Sequence, residues 1–494
     1  MKRSYSSYIR VFLIFLCVIA FFIRIYGLFS SIQFDSDFGR DSLFALRILH
    51  GKLTLLGAQA SVGGFYLGPL YFYAIALCYR VFGFVPEIIS LLFVVLAVFT
   101  LLLGFHVQRK YGSYSAGIVF ALLFMFQPLL VSASRGATHQ PMLSIVVVLF
   151  VATLIKSLER PKTFWSIVTG VSFGLFLHLH FSALLLFPGY VVSILVYGEK
   201  KIWAKVWQTC MHMFGVFLMA SPLLLFDLRH GFINSRAFLS YILLSARGGG
   251  IVSTLPHWTL AEKTEKVLQF IGGNIWTQGA ILIAVGLGLI TIWKQRKKAR
   301  SHTSYTYAGV LTILTSSVLG LLMIYKGYLF SYYLIVPCTV VLLFVSFMIG
   351  HVSKIKLMMS GVVLLILVQW IPKLFPLYSP TYRTLSNLTR VVHAIEQDID
   401  VRGIKRFTIF KDSSDGMTGL GYEYRFLLER DGYIPVSEYR YQDADVLYVI
   451  REEGEKDPIN LPHWEVTQFG PKYAKRLETL MVTNKSITLF LLSK

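Results

Sequence analysis

The sequence predicts an α-helical polytopic membrane protein with about eleven membrane-spanning helices and a small α/β domain at its C-terminal end. Of 494 residues, 55% are hydrophobic and 15% charged, against roughly 25% charge in an ordinary soluble domain, and mean hydropathy is +0.62. Apolar runs of about 20 residues, each long enough for a hydrocarbon core of roughly 30 Å, recur from Val11 to Leu377. Beyond Tyr378 the apolar runs shorten and charges become frequent.

The N-terminus, MKRSYSSYIR before an apolar run, has the flanks of a signal peptide, but Arg24 interrupts the run and no small-residue cleavage site follows. It is expected to stay as an uncleaved first helix with its N-terminus inside. The formal charge of +21 does not point to nucleic acid, because the basic residues fall in short clusters between apolar runs, as at Lys294, Arg296, Lys297, Lys298 and Arg300. Such clusters orient helices in a membrane and can also touch anionic lipid headgroups. Placing them inside puts 1 to 10, 109 to 110, 156 to 162, 198 to 205, 294 to 300 and 351 to 356 in the cytoplasm. The outer side then receives 31 to 65, 132 to 140, about 178 to 181, 226 to 268, 325 to 330 and everything after about 378. The expected location is the plasma membrane, with the N-terminus cytoplasmic and the C-terminal domain extracytoplasmic. One stretch conflicts: two apolar pieces, 66 to 84 and 87 to 106, lie where an odd number of crossings is required. Either the first is re-entrant or interfacial, or Arg109 and Lys110 are outside. Cys17, Cys78, Cys210 and Cys338 sit in apolar segments without metal-site spacing, so no disulfide or cysteine metal site is expected.

The last part reads as an α/β domain. Leu385, Leu388, Val391, Val392 and Ile395 keep helical spacing, strand-like runs follow at Phe407 to Phe410, Val446 to Ile450 and Ile487 to Leu492, and Tyr422 to Glu429 reads as helical. The expected division is a membrane domain over 1–377, carrying any catalysis, and a soluble domain over 378–494.

Ionisable groups at a membrane boundary are costly to desolvate and are functional candidates where they gather. The densest gathering follows helix one, FDSDFGRDSLFALRILHGK, with Asp35, Asp37, Arg40 and Asp41. A carboxylate there could act as a general base toward an acceptor hydroxyl or amine if a neighbour such as Arg40 keeps it ionised. A solvated, helix-capping acidic loop is the plain alternative.

With the following Gly68-Pro69-Leu70-Tyr71 segment, this loop resembles the GT-C glycosyltransferases, and within them the protein O-mannosyltransferase and aminoarabinose transferase group, family 39-like. That resemblance implies a GT-C-like fold and transfer of a sugar from a polyprenyl-phosphate donor to a lipid, glycan or protein acceptor on the outer face. It implies Asp37, three residues before Arg40, as the catalytic carboxylate, with Asp35 and Asp41 in support. It extends over about residues 10 to 350 through SASRGATHQP (Ser132 to Pro141), LHLHFSALLLFP (Leu177 to Pro188), PLLLFDLRHGFINSR (Pro222 to Arg236) and YKGYLFSYYLIVP (Tyr325 to Pro337). Tyr332 of the last stretch is an expected substrate contact. One departure stands out: relatives often carry a Lys before the prolines that open the second helix, where this chain has Leu67, Gly68 and Pro69.

A cation for the lipid phosphate is therefore sought in Arg135, Arg229 and Lys326, Arg offering a bidentate fork; snorkelling to headgroups, or pairing with Asp227, is the alternative. His139, His178, His180 and His230 could donate to phosphate or sugar hydroxyls. His178 and His180 have the look of a metal pair, yet residues two apart on a helix point to different faces, so the pair would need non-helical backbone. A divalent cation on Asp35 and Asp37 is the better metal reading; no cofactor is otherwise implied, and no phosphate-binding glycine loop is present. Phe65, Tyr66, Tyr71, Phe72 and Tyr73 read first as interfacial anchors and second as the lining of an isoprenoid groove. Competing with the transferase are a transporter or flippase of lipid-linked sugars, opposed by the lack of paired halves or broken-helix signatures, and a non-catalytic scaffold.

Overall fold

The computed structural model describes residues 2–60, 63–136, 138–247, 259–272, the positions 274, 278–279, 283, 286 and 290, and then 303–325, 329–351, 356–413, 419–452, 458–482 and 485–494. Helices run in order as α1 (Lys2–Ile25), α2 (Leu28–Ser31), α3 (Ser36–Leu49), α4 (Leu70–Phe82), α5 (Glu87–Tyr111), α6 (Tyr114–Phe126), α7 (Pro128–Arg135), α8 (Met142–Glu159), α9 (Thr163–Gly174), α10 (Phe187–Tyr197), α11 (Ile202–Arg229), α12 (Ile233–Arg247), α13 (Leu260–Gly272), α14 (Thr303–Ile324), α15 (Ile335–His351) and α16 (Lys356–Trp370). Among the described residues seven helices are long and apolar enough to cross a membrane, and the bent pair of α6 and α7, meeting at 60°, makes an eighth. Thr163–His178 and Phe181–Tyr197 are shorter apolar segments. The protein is an integral, multi-pass membrane protein. Ser331–Gly350 is almost wholly enclosed by its neighbours, whereas Ile202–Arg229 faces mostly outward.

Arg24, which interrupts the first apolar run, explains how the bent pair survives in hydrocarbon. Pro128 has no N–H, so the carbonyl four residues earlier, that of Phe124, loses its helical partner. The fully buried Arg24 guanidinium donates to that carbonyl at 3.1 Å, to the Met125 carbonyl at 3.3 Å and to Ser134 Oγ at 3.0 Å. Gln127 caps the restart by accepting from the Leu130 N–H at 2.9 Å. Ends that would be orphaned in lipid are thus bonded within the protein.

Over 66 to 106 the first apolar piece forms a helix shorter than a membrane crossing. The 13-residue α4 is about 20 Å long at 1.5 Å per residue, short of a roughly 30 Å core. It runs beside α3, its start against the loop that follows α3 and its end against the C-terminal domain. Near its start Tyr73 exchanges hydrogen bonds with Thr54, and near its end Tyr79 donates to Ser42 Oγ at 2.7 Å and stacks on Phe426. Of the two pieces, only α5 is a helix long and apolar enough to cross a membrane.

After Tyr378 the chain forms α17 (Leu385–Arg402), β1 (Phe407–Asp412), α18 (Tyr422–Arg430), β2 (Val446–Arg451), α19 (Trp464–Phe469), β3 (Tyr473–Val482) and β4 (Lys485–Ser493). The sheet order is β1-β2-β4-β3, with β1 and β2 parallel and the other pairs antiparallel. Thr384 caps α17 by accepting from Asn387 N–H, Gly403 at φ 65° ends it, and Leu388, Val391, Val392 and Ile395 bury its apolar face. The strands expected from the sequence are β1, β2 and β4. β3 was not expected: it is an edge strand whose Lys475, Arg476 and Glu478 break any apolar alternation, a usual defence against edge pairing. One apolar core is shared across the junction: Phe34, Phe38, Leu43, Leu46 and Tyr79 pack with Leu388, Val391, Phe426 and Leu427.

Candidate active site

The acidic loop folds into the start of α3. Asp35 is its N-cap, with Oδ1 accepting from the Phe38 N–H at 2.8 Å. Asp37 lies in the first turn, where the helix dipole favours a carboxylate. Arg40, one turn on, donates Nη1 to Asp37 at 2.7 Å, and Nε and Nη2 to Asp41 Oδ1 at 2.9 and 2.7 Å. The three acids differ in setting: the Asp37 side chain is 60% exposed and that of Asp41 is 0% exposed.

Two carboxylates, Asp37 and Asp41, share the Arg40 guanidinium, and Asp35 stands near them. Burial, reinforced by the charge of Asp37, lifts Asp35 to about 6. Burial lifts Asp41 to about 7 against the opposing pull of Arg40, with Asp37 adding to the rise. Burial works against the Arg40 charge, but Asp41 and Asp37 hold it above its ordinary value. Asp37 is therefore the solvent-facing carboxylate of a fixed pair.

Asp35 and Asp37 open into a cavity of about 830 Å³ that reaches Arg135, Gln140, Tyr332 and the segment Pro376 to Tyr382. His139 stands beside it, its ring 6.3 Å from that of His180 and 5.7 Å from that of Tyr71. Burial, with Arg40 nearby, lowers His139 to about 4, so its imidazole is neutral. His180 packs against Tyr332 at 5.3 Å and Tyr333 at 4.9 Å. Arg135 lines the cavity, but four of its five N–H groups are already used: on the carbonyls of Arg24, Tyr26 and Leu377, and on Ser31 Oγ.

Other expected contacts fall elsewhere. Arg229 and His230 are exposed at the end of α11, away from the cavity. Asp227 is not the partner of Arg229; it accepts from the backbone of Asn234 and Ser235. Lys326 lies outside the described residues. The backbone after His178 is non-helical, as a two-residue metal pair would need, yet both nitrogens of His178 and the Nδ1 of His180 are already engaged. His178 Nδ1 accepts from Leu70 N–H at 3.3 Å and its Nε2 donates to the Met219 carbonyl at 2.7 Å, while His180 Nδ1 accepts from Ser182 N–H. Gly68 explains the missing lysine: any Cβ there would overlap the His178 ring. Among the described residues no group of three or more His, Cys, Asp or Glu side chains is placed to hold a metal ion, and one Asp35 oxygen, Oδ1, is engaged as the α3 cap.

Phe65, Tyr71 and Phe72 are buried rather than anchored at an interface. Phe65 instead lines a second, apolar groove of about 210 Å³ with Phe181, Leu224 and Phe238, and His180 borders it. Sequence reasoning missed Gln140, although it lies in the quoted SASRGATHQP stretch, and missed the hydroxyl-rich Ser379, Thr381 and Tyr382. Those three belong to a linker that carried no signal beyond its composition.

Comparison with known proteins places this architecture. The crystal structure of ArnT from Cupriavidus metallidurans bound to undecaprenyl phosphate superposes with TM-score 0.60 over 98% of both chains at 10% identity; its apo form gives 0.58. The chain has the GT-C glycosyltransferase fold. Within this GT-C chain, residues 67–226 match the family model for dolichyl-phosphate-mannose-protein mannosyltransferases. The archaeal oligosaccharyltransferase AglB from Archaeoglobus fulgidus, in complex with an inhibitory peptide and a dolichol-phosphate, is similar at TM-score 0.50 and 11% identity, over 89% of this chain and 69% of its own. No curated protein matches the sequence.

Proposed function

We propose that this protein transfers a sugar from a polyprenyl-phosphate donor to a lipid, glycan or protein acceptor, on the outer membrane face, which carries the C-terminal domain. The single observation behind this reading is Asp37, a carboxylate more than half exposed in the wall of the 830 Å³ cavity and held at 2.7 Å by Arg40. Asp37 is the general base, taking the acceptor proton as oxygen or nitrogen attacks the anomeric carbon with inversion. Arg40 orients Asp37, while Asp35 and Asp41 fix the turn that carries them. The polyprenyl phosphate is a good leaving group, so positioning and electrostatics supply most of the rate. The remaining N–H of Arg135, with Gln140 and Tyr332, is suited to donate to phosphate or sugar oxygens. The apolar groove beside His180 suits an isoprenoid chain. The carriers named in the ArnT and AglB structures support a polyprenyl donor.

The test is sugar release from a panel of radiolabelled polyprenyl-phosphate sugars by the wild type and Asp37→Asn, with and without chelator. Turnover is expected to fall by about 10³-fold or more in the variant. Equal behaviour of the two proteins removes Asp37 as the base and favours transport of the lipid-linked sugar.

A further inference from the structure

We infer that the C-terminal domain positions the reacting groups, by clasping the helix that carries Asp37 and Arg40; this rests on the transferase reading above. α3 is held at three places along its length. Before its first turn, the Phe34 N–H donates to the Arg383 carbonyl at 2.8 Å, and the same linker returns a bond from Thr381 N–H to the Ser30 carbonyl at 3.0 Å. At the end of its first turn, Gly39 lies so close to the first turn of α18 that a Cβ would overlap the backbone of Tyr422 and Glu423. At its far end, Arg47 pairs with Glu429 at 2.7 Å and with Glu438 at 3.1 Å.

The clasp is rigid on the domain side. Glu423 is anchored by an ion pair with Lys411 at 2.8 Å, both side chains fully buried. Arg425, also fully buried, ties α18 to β1 through Thr408 Oγ and the Ile409 carbonyl, and to the Val436 carbonyl. A glycine inside a helix is intrinsically unfavourable, so the close approach to α18 accounts for Gly39. Gly39 adjoins Arg40 and stands two residues from Asp37, so the spacing between α3 and α18 is transmitted directly to the pair. Gly39 and Arg47 are positioning residues; neither lines the cavity.

The test uses the purified full chain as Gly39→Ala, as Arg47→Glu, and as Arg47→Glu combined with Glu429→Arg and Glu438→Arg. Displacing a reacting group by about 1 Å costs about 100-fold in rate. Gly39→Ala is accordingly expected to lower kcat by about 100-fold while donor KM stays within about twofold. Arg47→Glu is expected to lower kcat by about tenfold and the charge-swapped triple variant to recover most of it, a rescue that general loss of folding would not show. Wild-type kcat in Gly39→Ala, a rise in KM without a fall in kcat, or a triple variant no better than Arg47→Glu would overturn the inference. If Gly39→Ala does not fold, the Arg47 series decides alone. Asp37→Asn is measured alongside: full activity there defeats the transferase reading itself, whereas an inactive Asp37→Asn beside a normal Gly39→Ala defeats only the clasp.

Discussion

Arg40 places two N–H groups on a single oxygen of the buried Asp41 and gives only one to the exposed Asp37. The other Asp41 oxygen, buried as well, has no hydrogen-bond partner among the described residues. Arg40 is thus the main compensation for a carboxylate removed from water, as well as the orienting partner of Asp37.

Arg40→Met leaves that carboxylate without its cation. Breaking a buried pair by removing one partner typically costs 3–5 kcal/mol, so thermal unfolding in detergent at pH 8 should report a loss of about 3 kcal/mol. The loss should be smaller at pH 5, where Asp41 carries a proton. An equal loss at both pH values would show that the pair does not set stability. Turnover should fall together with that of Asp37→Asn.

Stability should also depend on pH through Asp35 and Asp41. Burial raises them to about 6 and about 7, above the ordinary carboxylate value of about 4, so folding takes up protons in this window. That contribution is full below about pH 4 and is lost as pH rises through 7. Melting temperatures of the wild type should fall between pH 5 and pH 8, and Asp41→Asn should flatten the fall. A variant with the wild-type slope would place the titration elsewhere.

Arg24→Met tests the broken span. It removes the Arg24 bonds to the Phe124 and Met125 carbonyls, while the Ser134 hydroxyl keeps its bond to the Val131 carbonyl. Each buried unsatisfied group costs about 1–3 kcal/mol, so a loss of about 3 kcal/mol is expected, read as a shorter thermal half-life in detergent. Because α7 carries Arg135 to the cavity, donor binding should weaken as well. A stable variant would mean that water or lipid satisfies those carbonyls.

Much of this architecture was legible because its causes are local. Asp35 before a run of helix formers marks the start of α3, and the spacing of Leu388, Val391, Val392 and Ile395 marks α17. Apolar β1, β2 and β4 announce themselves. The sequence leaves α4 open because its apolar content equals that of a crossing while its length does not, and misses β3 because an edge strand has reason to be polar. Arg135 was legible as a cation near the site but not as one largely committed to carbonyls of α1 and the linker. Gly39 carried no signal: its partner Glu423 lies far along the chain.

The sequence by itself determined a helical membrane protein with a terminal α/β domain and an acidic, arginine-bearing loop after its first helix, since hydropathy, caps and strand patterns act over a few residues. Tertiary structure alone decided which of the three carboxylates is exposed and which is buried, which arginines are already spent on backbone carbonyls, and that the terminal domain holds α3. Burial and hydrogen-bond satisfaction depend on segments hundreds of residues apart, and only packing brings those together.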